Sequence, residues 1–243
     1  MDTKPVALIT GANRGLGRAV AEGLAERQYH VIIGSRNEAQ AKEIESQILG
    51  RGWSASSVQL DLNSDESIHK AVSMIMKKHG KLDVLINNAA ILLEYEGVSE
   101  VSTRAAMLAT FHTNVFGPAV LTSACIPLLR KTGAPRVVFV SSRKGSIANT
   151  LDKNWEYYGC SWPAYKASKA ALNMLAANYT QELDGCGGMV NVVCPGTVST
   201  QMVNFDPYGQ SPESAAGKVI EMATIEKGGP TGTWTDHSGT VRW

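Results

Sequence analysis

Short runs of consecutive apolar residues, each followed by a helix-length amphipathic stretch, recur along this chain and constrain its fold more than any other feature. Val6-Ala7-Leu8-Ile9 ends at Thr10-Gly11 and leads into Leu16 to Gln28, where Leu16, Ala19, Val20 and Leu24 follow the roughly 3.6-residue helical period. His30 to Ile33, Ser57 to Leu60, Asp83 to Ile86, Val137 to Val140 and Val190 to Val193 read as further strands, and Thr231 to Thr235 as a shorter seventh. Between them, helices are predicted over about Glu38 to Leu49, Ser64 to Lys78, Ser102 to Arg130 and Ala164 to Leu183. Ser211-Pro212-Glu213 reads as the start of a last helix, with a serine cap and a proline in its first turn. Apolar strands alternating with helices imply the α/β class: a doubly wound parallel sheet of about seven strands, covered by helices on both faces. With no internal repeat or linker, residues 1–243 are read as a single domain, a length that one core can serve.

Lys and Arg number 23 against 22 Asp and Glu, a formal charge of +1, and the basic residues are not clustered. That argues against a nucleic-acid or membrane-surface partner. Met1 to Thr10 lacks the pattern of a secretory leader, and no apolar run reaches the roughly 18 residues of a membrane span, so a cytoplasmic location is expected. Cys125, Cys160, Cys186 and Cys194 form no CxxC pair; free thiols are expected, with no disulfide and no metal site.

The turn after the first strand reads Thr10-Gly11-Ala12-Asn13-Arg14-Gly15-Leu16-Gly17. Glycines between a strand and a helix allow the backbone to approach a pyrophosphate, and the helix start offers free N–H groups and partial positive charge. This predicts a Rossmann-type dinucleotide site. The second strand is followed by Gly34-Ser35-Arg36-Asn37, with no carboxylate for the ribose hydroxyls. Arg36, with Arg14 from the glycine turn, suits a 2′-phosphate and favours NADP over NAD. Asp61, after the third strand, can accept from the adenine amino group or cap the next helix.

Tyr165 and Lys169 stand four apart in a predicted helix and share one face. A free phenol titrates near 10. An ammonium about 5 Å away, at an effective dielectric near 20, contributes roughly 3 kcal/mol. The phenol is therefore expected to fall by about two pH units, toward a useful acid–base value. Val140-Ser141-Ser142 ends the fifth strand at the same sheet edge as the glycine turn, so a serine there can bond the substrate oxygen. Asn114, polar in an otherwise apolar helix near Gly117-Pro118, needs a partner and can hold a water in a proton relay.

These motifs together resemble the short-chain dehydrogenase/reductase family over nearly the whole chain. The resemblance rests on TGxxxGxG at Thr10 to Gly17, NNAx at Asn87 to Ala90, Asn114, the serine after the fifth strand, YxxxK at Tyr165 to Lys169, and PGxVxT at Pro195 to Thr200. It implies Tyr165 as the general acid in reduction, Lys169 as the group that lowers its pKa and holds the nicotinamide ribose, and Asn114 as the anchor of the relay water. Ser142 is implied as the residue that orients the carbonyl, chosen over Ser141 because Gly145 follows it by three. The implied cofactor contacts are Gly11, Asn13, Arg14, Gly15, Leu16, Gly17, Arg36, Asp61, Leu62, Asn88, Ala89, Tyr165, Lys169, Pro195 and Gly196. Val198 and Thr200 are implied as holding the nicotinamide carboxamide. Within the family the chain is most similar to the NADPH-dependent carbonyl reductases, because of its arginines, its long Ser142–Tyr165 spacing and its closing Thr231 to Trp243. Ala90 departs from the family's usual glycine, with tightening of that turn expected. The insertion Lys144 to Pro163 is shorter than in mammalian carbonyl reductases.

The expected activity is NADPH-dependent reduction of a ketone, aldehyde or quinone. A steroid or sugar alcohol dehydrogenase, a non-catalytic NADP-sensing regulator and an interaction scaffold are the alternatives. The insertion holds Ile147, Leu151, Trp155, Tyr157, Tyr158 and Trp162, part of which is expected to wall an apolar substrate pocket or to pack the loop on the body. Gln201 to Gln210, with Met202, Val203, Phe205 and Tyr208, is expected to form the opposite wall as a lid that orders on cofactor binding. Small-molecule substrate aside, the partner is a second copy of the chain or none: the resemblance implies dimer helices at Asn114 and Tyr165, and an insertion that covers the latter would give a monomer.

Overall fold

The computed structural model describes residues 4–94 and 103–243. Eight strands form one sheet in the order β3-β2-β1-β4-β5-β6-β7-β8. These are β1 Val6–Thr10, β2 His30–Ser35, β3 Ser54–Gln59, β4 Val84–Asn87, β5 Arg136–Val140, β6 Met189–Val193, β7 Trp234–Asp236 and β8 Gly239–Thr240. All neighbouring pairs are parallel except β7 with β8. The helices are α1 Gly15–Glu26, α2 Glu38–Gly50, α3 Asp65–His79, α4 Arg104–Phe111, α5 Gly117–Leu129, α6 Ile147–Leu151, α7 Pro163–Asp184 and α8 Pro212–Ala223. The strand order reverses between β1 and β4, so their carboxyl ends part and open a crevice.

Successive side chains of each central strand point to opposite faces, and both faces are buried. Leu8, Ile32, Leu85, Val137 and Phe139 join one core with α3, α5 and α7. Ala7, Ile9, Val31, Ile33, Val84 and Ile86 join the other with α1, α2 and α8. Local signals fix the helix ends. Ser64 accepts from the Ser67 amide, Asp65 and Glu66 sit in the first turn of α3, Lys77, Lys78 and His79 in its last, and Gly80 closes it in the left-handed region. Ser64, not Asp61, is therefore the cap of this helix.

Four expectations shift. The third strand begins at Ser54, because its serines pair in register with β2 although their polarity hides the strand. The last parallel strand is Trp234–Asp236, and a short antiparallel β8 returns along it as a hairpin. The predicted Ser102 to Arg130 helix starts at Arg104, with Ser102 itself outside the described residues, and it is split by a π-helical segment His112–Phe116. Pro118 has no N–H for the carbonyl four residues earlier, that of Asn114, and the wider turn accommodates the loss. The insertion is not all loop: Ser146 accepts from the Asn149 amide and starts α6.

Candidate active site

A cleft of ≈ 790 Å³ opens at the carboxyl ends of the parallel strands. Every residue singled out as catalytic or cofactor-binding lines it, except Asn114. The floor is the β1–α1 turn. Thr10 takes the Asn88 and Ala89 amides on its hydroxyl, both at 2.9 Å, while the Asn88 side chain donates to the Thr10 carbonyl at 2.8 Å. The β4 end thus clamps the glycine turn. Gly17 sits so close that a Cβ would lie 2.4 Å from the Gly11 carbonyl and 2.5 Å from Asn88 Nδ2. The turn is a cradle that a side chain would fill. Ala90 also lines the cleft, and its backbone stays out of the left-handed region, so the methyl adds no strain there.

Arg36 is exposed at the end of β2 and faces the cleft. Arg14 also lines the cleft, but its guanidinium donates to Gln201 Oε1 on the opposite wall. Its joining Arg36 at one phosphate would require leaving that bond. Asn13 donates to Gln40 at 2.7 Å, which ties the glycine turn to α2. Asp61 accepts from the Asn63 amide at 2.9 Å, and the buried Leu62 lies beside it.

The catalytic candidates stand on the adjoining wall. Ser142 follows the end of β5, lines the cleft with Tyr165 and draws its phenol downward. Its neighbour Ser141 is turned inward and donates to Asn173 at 2.6 Å, so the two serines have separate roles. Gly145 lets the next turn touch α7: a Cβ there would lie 2.8 Å from the Lys169 backbone. Lys169 is buried and donates from Nζ to the Val140 carbonyl at 2.9 Å, with that nitrogen 5.6 Å from the centre of the Tyr165 ring.

Burial pushes the Lys169 ammonium down to about 8. Burial also holds the Tyr165 phenol above its ordinary value, with Cys194 and Glu94 acting the same way against the lowering influence of Ser142. The expectation of a lowered phenol is therefore not met: the net shift is upward and burial is its largest cause. That expectation treated the phenol as solvated and perturbed by one charge, whereas the ring is buried and the ammonium points to a carbonyl.

Asn114 sits behind this wall on the π-helical segment. Its Nδ2 donates to the Ile91 carbonyl at 3.0 Å and to Ser168 Oγ at 3.1 Å, and its Oδ1 accepts from the Ile91 amide at 2.8 Å. The side chain is a clamp between the segment after β4 and α7.

The remaining wall comes from the segment after β6, where Gln210 holds the Pro195 carbonyl at 2.8 Å and Val198 bridges to Gln210. Met202, Val203 and Phe205 line the cleft, while Tyr208 is fully exposed. The aromatic insertion divides. Tyr157 and Trp162 line the cleft, Trp155 packs edge-on against Tyr157, and Ile147, Leu151 and Tyr158 face outward.

Two contributors carried no usable sequence signal. Glu94 accepts from the Tyr165 amide at 2.9 Å, from an irregular segment that no spacing marks. Lys144 lies in the insertion among polar neighbours and reads there as a solvated residue.

The family model described as short chain dehydrogenase matches residues 5–208. The chain belongs to the short-chain dehydrogenase family. A short-chain dehydrogenase of Penicillium roqueforti is 37% identical over 231 residues, covering 91% of this chain and 89% of that relative. Carbonyl reductase [NADPH] 1 of Bos taurus is 28% identical over 276 residues, covering 98% of each. Among solved structures, an NADPH-bound carbonyl reductase from chicken fatty liver superposes with a TM-score of 0.84 at 24% identity, covering 99% of each chain, a likeness of fold. Short-chain dehydrogenases are oxidoreductases that bind a nicotinamide cofactor, and the cradle at Gly17 suits the pyrophosphate of such a dinucleotide. Among the described residues no helix is long and apolar enough to cross a membrane, and no cluster suits a metal ion.

Proposed function

We propose that this chain acts as one NADP-binding domain and reduces the carbonyl of a ketone, aldehyde or quinone with NADPH, Tyr165 donating the proton. One observation carries this reading: Ser142, Tyr165 and Lys169 converge on one wall of the cleft whose floor is the glycine turn. The bound dinucleotide supplies the hydride. The protein does the rest. Arg36 takes the 2′-phosphate, a role that an exposed guanidinium lining the cleft at the β2 end suits. The turn from Gly11 through Gly17 takes the pyrophosphate, Asp61 and Leu62 flank the adenine, and Ala89 and Asn88 shape the adjoining wall. Pro195, Gly196, Val198 and Thr200 hold the nicotinamide end.

The Ser142 hydroxyl orients the carbonyl oxygen toward Tyr165. The phenol of Tyr165 gives its proton to that oxygen, which becomes the hydroxyl of the alcohol product. Burial above the ordinary phenol range keeps Tyr165 protonated at neutral pH, which suits an acid. The Lys169 ammonium then meets the phenolate where it forms, and charge stabilisation in a buried site is worth more than in water. Asn114 keeps α7 and the segment after β4 in register. NADPH oxidation followed against aromatic and bulky ketones, aldehydes and quinones tests the assignment. Tyr165→Phe should lower kcat by about 10²–10⁴-fold while NADPH still binds. Turnover that survives this change would remove Tyr165 from the chemistry; a panel with no reduced carbonyl would remove the assignment.

A further inference from the structure

Lys144 is a cation that the reaction above leaves unused, and it lines the same cleft. It stands two residues past Ser142, and its backbone N–H donates to the Ser142 hydroxyl at 3.2 Å. Its side chain runs into the insertion, where Nζ lies 3.6 Å from the ring centre of Tyr157 and 4.9 Å from that of Trp162. The Trp162 ring is in turn 6.4 Å from that of Tyr165 and nearly perpendicular to it. One indole therefore separates this ammonium from the phenol.

Two aromatic rings orient the cation, and among the described residues no ion pair joins it to a carboxylate. Burial pushes the ammonium below its ordinary value, with Lys166 acting the same way and Glu156 against it. Aromatic faces replace only part of the hydration that a half-buried ammonium loses. An ammonium has three N–H donors, and rings do not use them as a carboxylate would.

We infer that Lys144 anchors a carboxylate on the substrate, so that the cleft takes aromatic keto acids, with the ketone at Ser142 and Tyr165 and the acid group at Lys144. This rests on the carbonyl-reductase reading. A role limited to holding Ser142 or the insertion would affect charged and neutral substrates alike, whereas an anchor separates them.

An acetylbenzoate and its methyl ester present one ketone with and without the charge. The wild-type chain with NADPH should favour the acid. Lys144→Met should lower the acid-to-ester ratio of kcat/KM by about ten- to hundredfold, the range of a charge-assisted bond in a partly buried site, and Lys144→Arg should restore part of it. A ratio that stays the same in Lys144→Met overturns the anchor. Calorimetric titration of benzoate against benzamide, with the chain saturated in NADP, reads the contact without turnover. If the wild type reduces neither ketone nor any carbonyl of the wider panel, the carbonyl-reductase reading falls. Weaker benzoate binding in Lys144→Met would then still support the anchor, and equal binding would overturn it.

Discussion

The Lys169 ammonium sits at 2% exposure with its proton donated to a backbone carbonyl, and burial brings its pKa down to about 8. The Tyr165 phenol is shifted the other way, so near neutrality both groups hold their protons. The sign for reduction follows. Below about 8 the ammonium is charged and can stabilise the phenolate left by proton donation; above it that charge is lost while the phenol stays protonated. kcat/KM for carbonyl reduction should be level near neutrality and fall as pH rises through about 8. Lys169→Arg, permanently charged, should move the falling limb upward at a lower plateau. A falling limb that stays in place in that variant would assign it to another group. The residues of this pair were legible because a four-residue spacing puts them on one helix face. The direction of the phenol shift was not, since it comes from tertiary burial beside Trp162 and Cys194. Lys144 carries no signal for a similar reason: a lysine among polar residues reads as solvated until two rings from the insertion close on it.

The helix that carries the pair begins without a cap of its own. Trp162 holds the N-cap position with no side-chain acceptor, and the first turn of α7 has no acidic residue. Glu94 fills that role from the segment after β4, where its carboxylate accepts from the Tyr165 amide at the positive end of the helix. Its other oxygen is buried with no partner among the described residues. Glu94→Ala should destabilise the fold by about 0.5–2 kcal/mol, measured by urea unfolding. Because the lost bond is to the amide of Tyr165 itself, kcat should fall more than KM rises, with Glu94→Gln intermediate. Equal changes in both constants would leave Glu94 a purely structural cap. At this scale the sequence reads well wherever one strand or helix carries its own signal, as with the buried run of β1 or the capped ends of α3. It reads poorly where an element exists through a distant partner. β8 needs β7, the start of β3 needs β2, and the cap of α7 arrives from about seventy residues earlier in the chain.

The molecule places its cleft where the strand order turns, with the β1–α1 turn on one side and the segment after β6 on the other. Arg14 and Gln201 join these walls by one hydrogen bond at the mouth. Beyond that bond, Asn204 and Phe205 both hold left-handed backbone, Phe205 is largely exposed, and Tyr208 stands in solvent. A bulky residue in that conformation costs roughly 1–2 kcal/mol, so the segment from Gln201 to Gln210 stores strain beside the cofactor space. A ligand that touches both walls stabilises the native state by mass action, about 2.7 kcal/mol at a hundredfold excess over Kd. For a chain of this length that is a rise in Tm of roughly 5–10 °C. NADPH should give this rise, NADH a smaller one, and Arg36→Ala should bring the two together by losing the 2′-phosphate contact. Proteolysis within Gln201 to Gln210 should slow under NADPH in the wild type. Equal Tm rises for the two nucleotides in the wild type would take the 2′-phosphate from Arg36, and equal cleavage with and without NADPH would show that this segment does not close on the cofactor. The two measurements fail separately, because one reads a contact at the end of β2 and the other the far wall after β6.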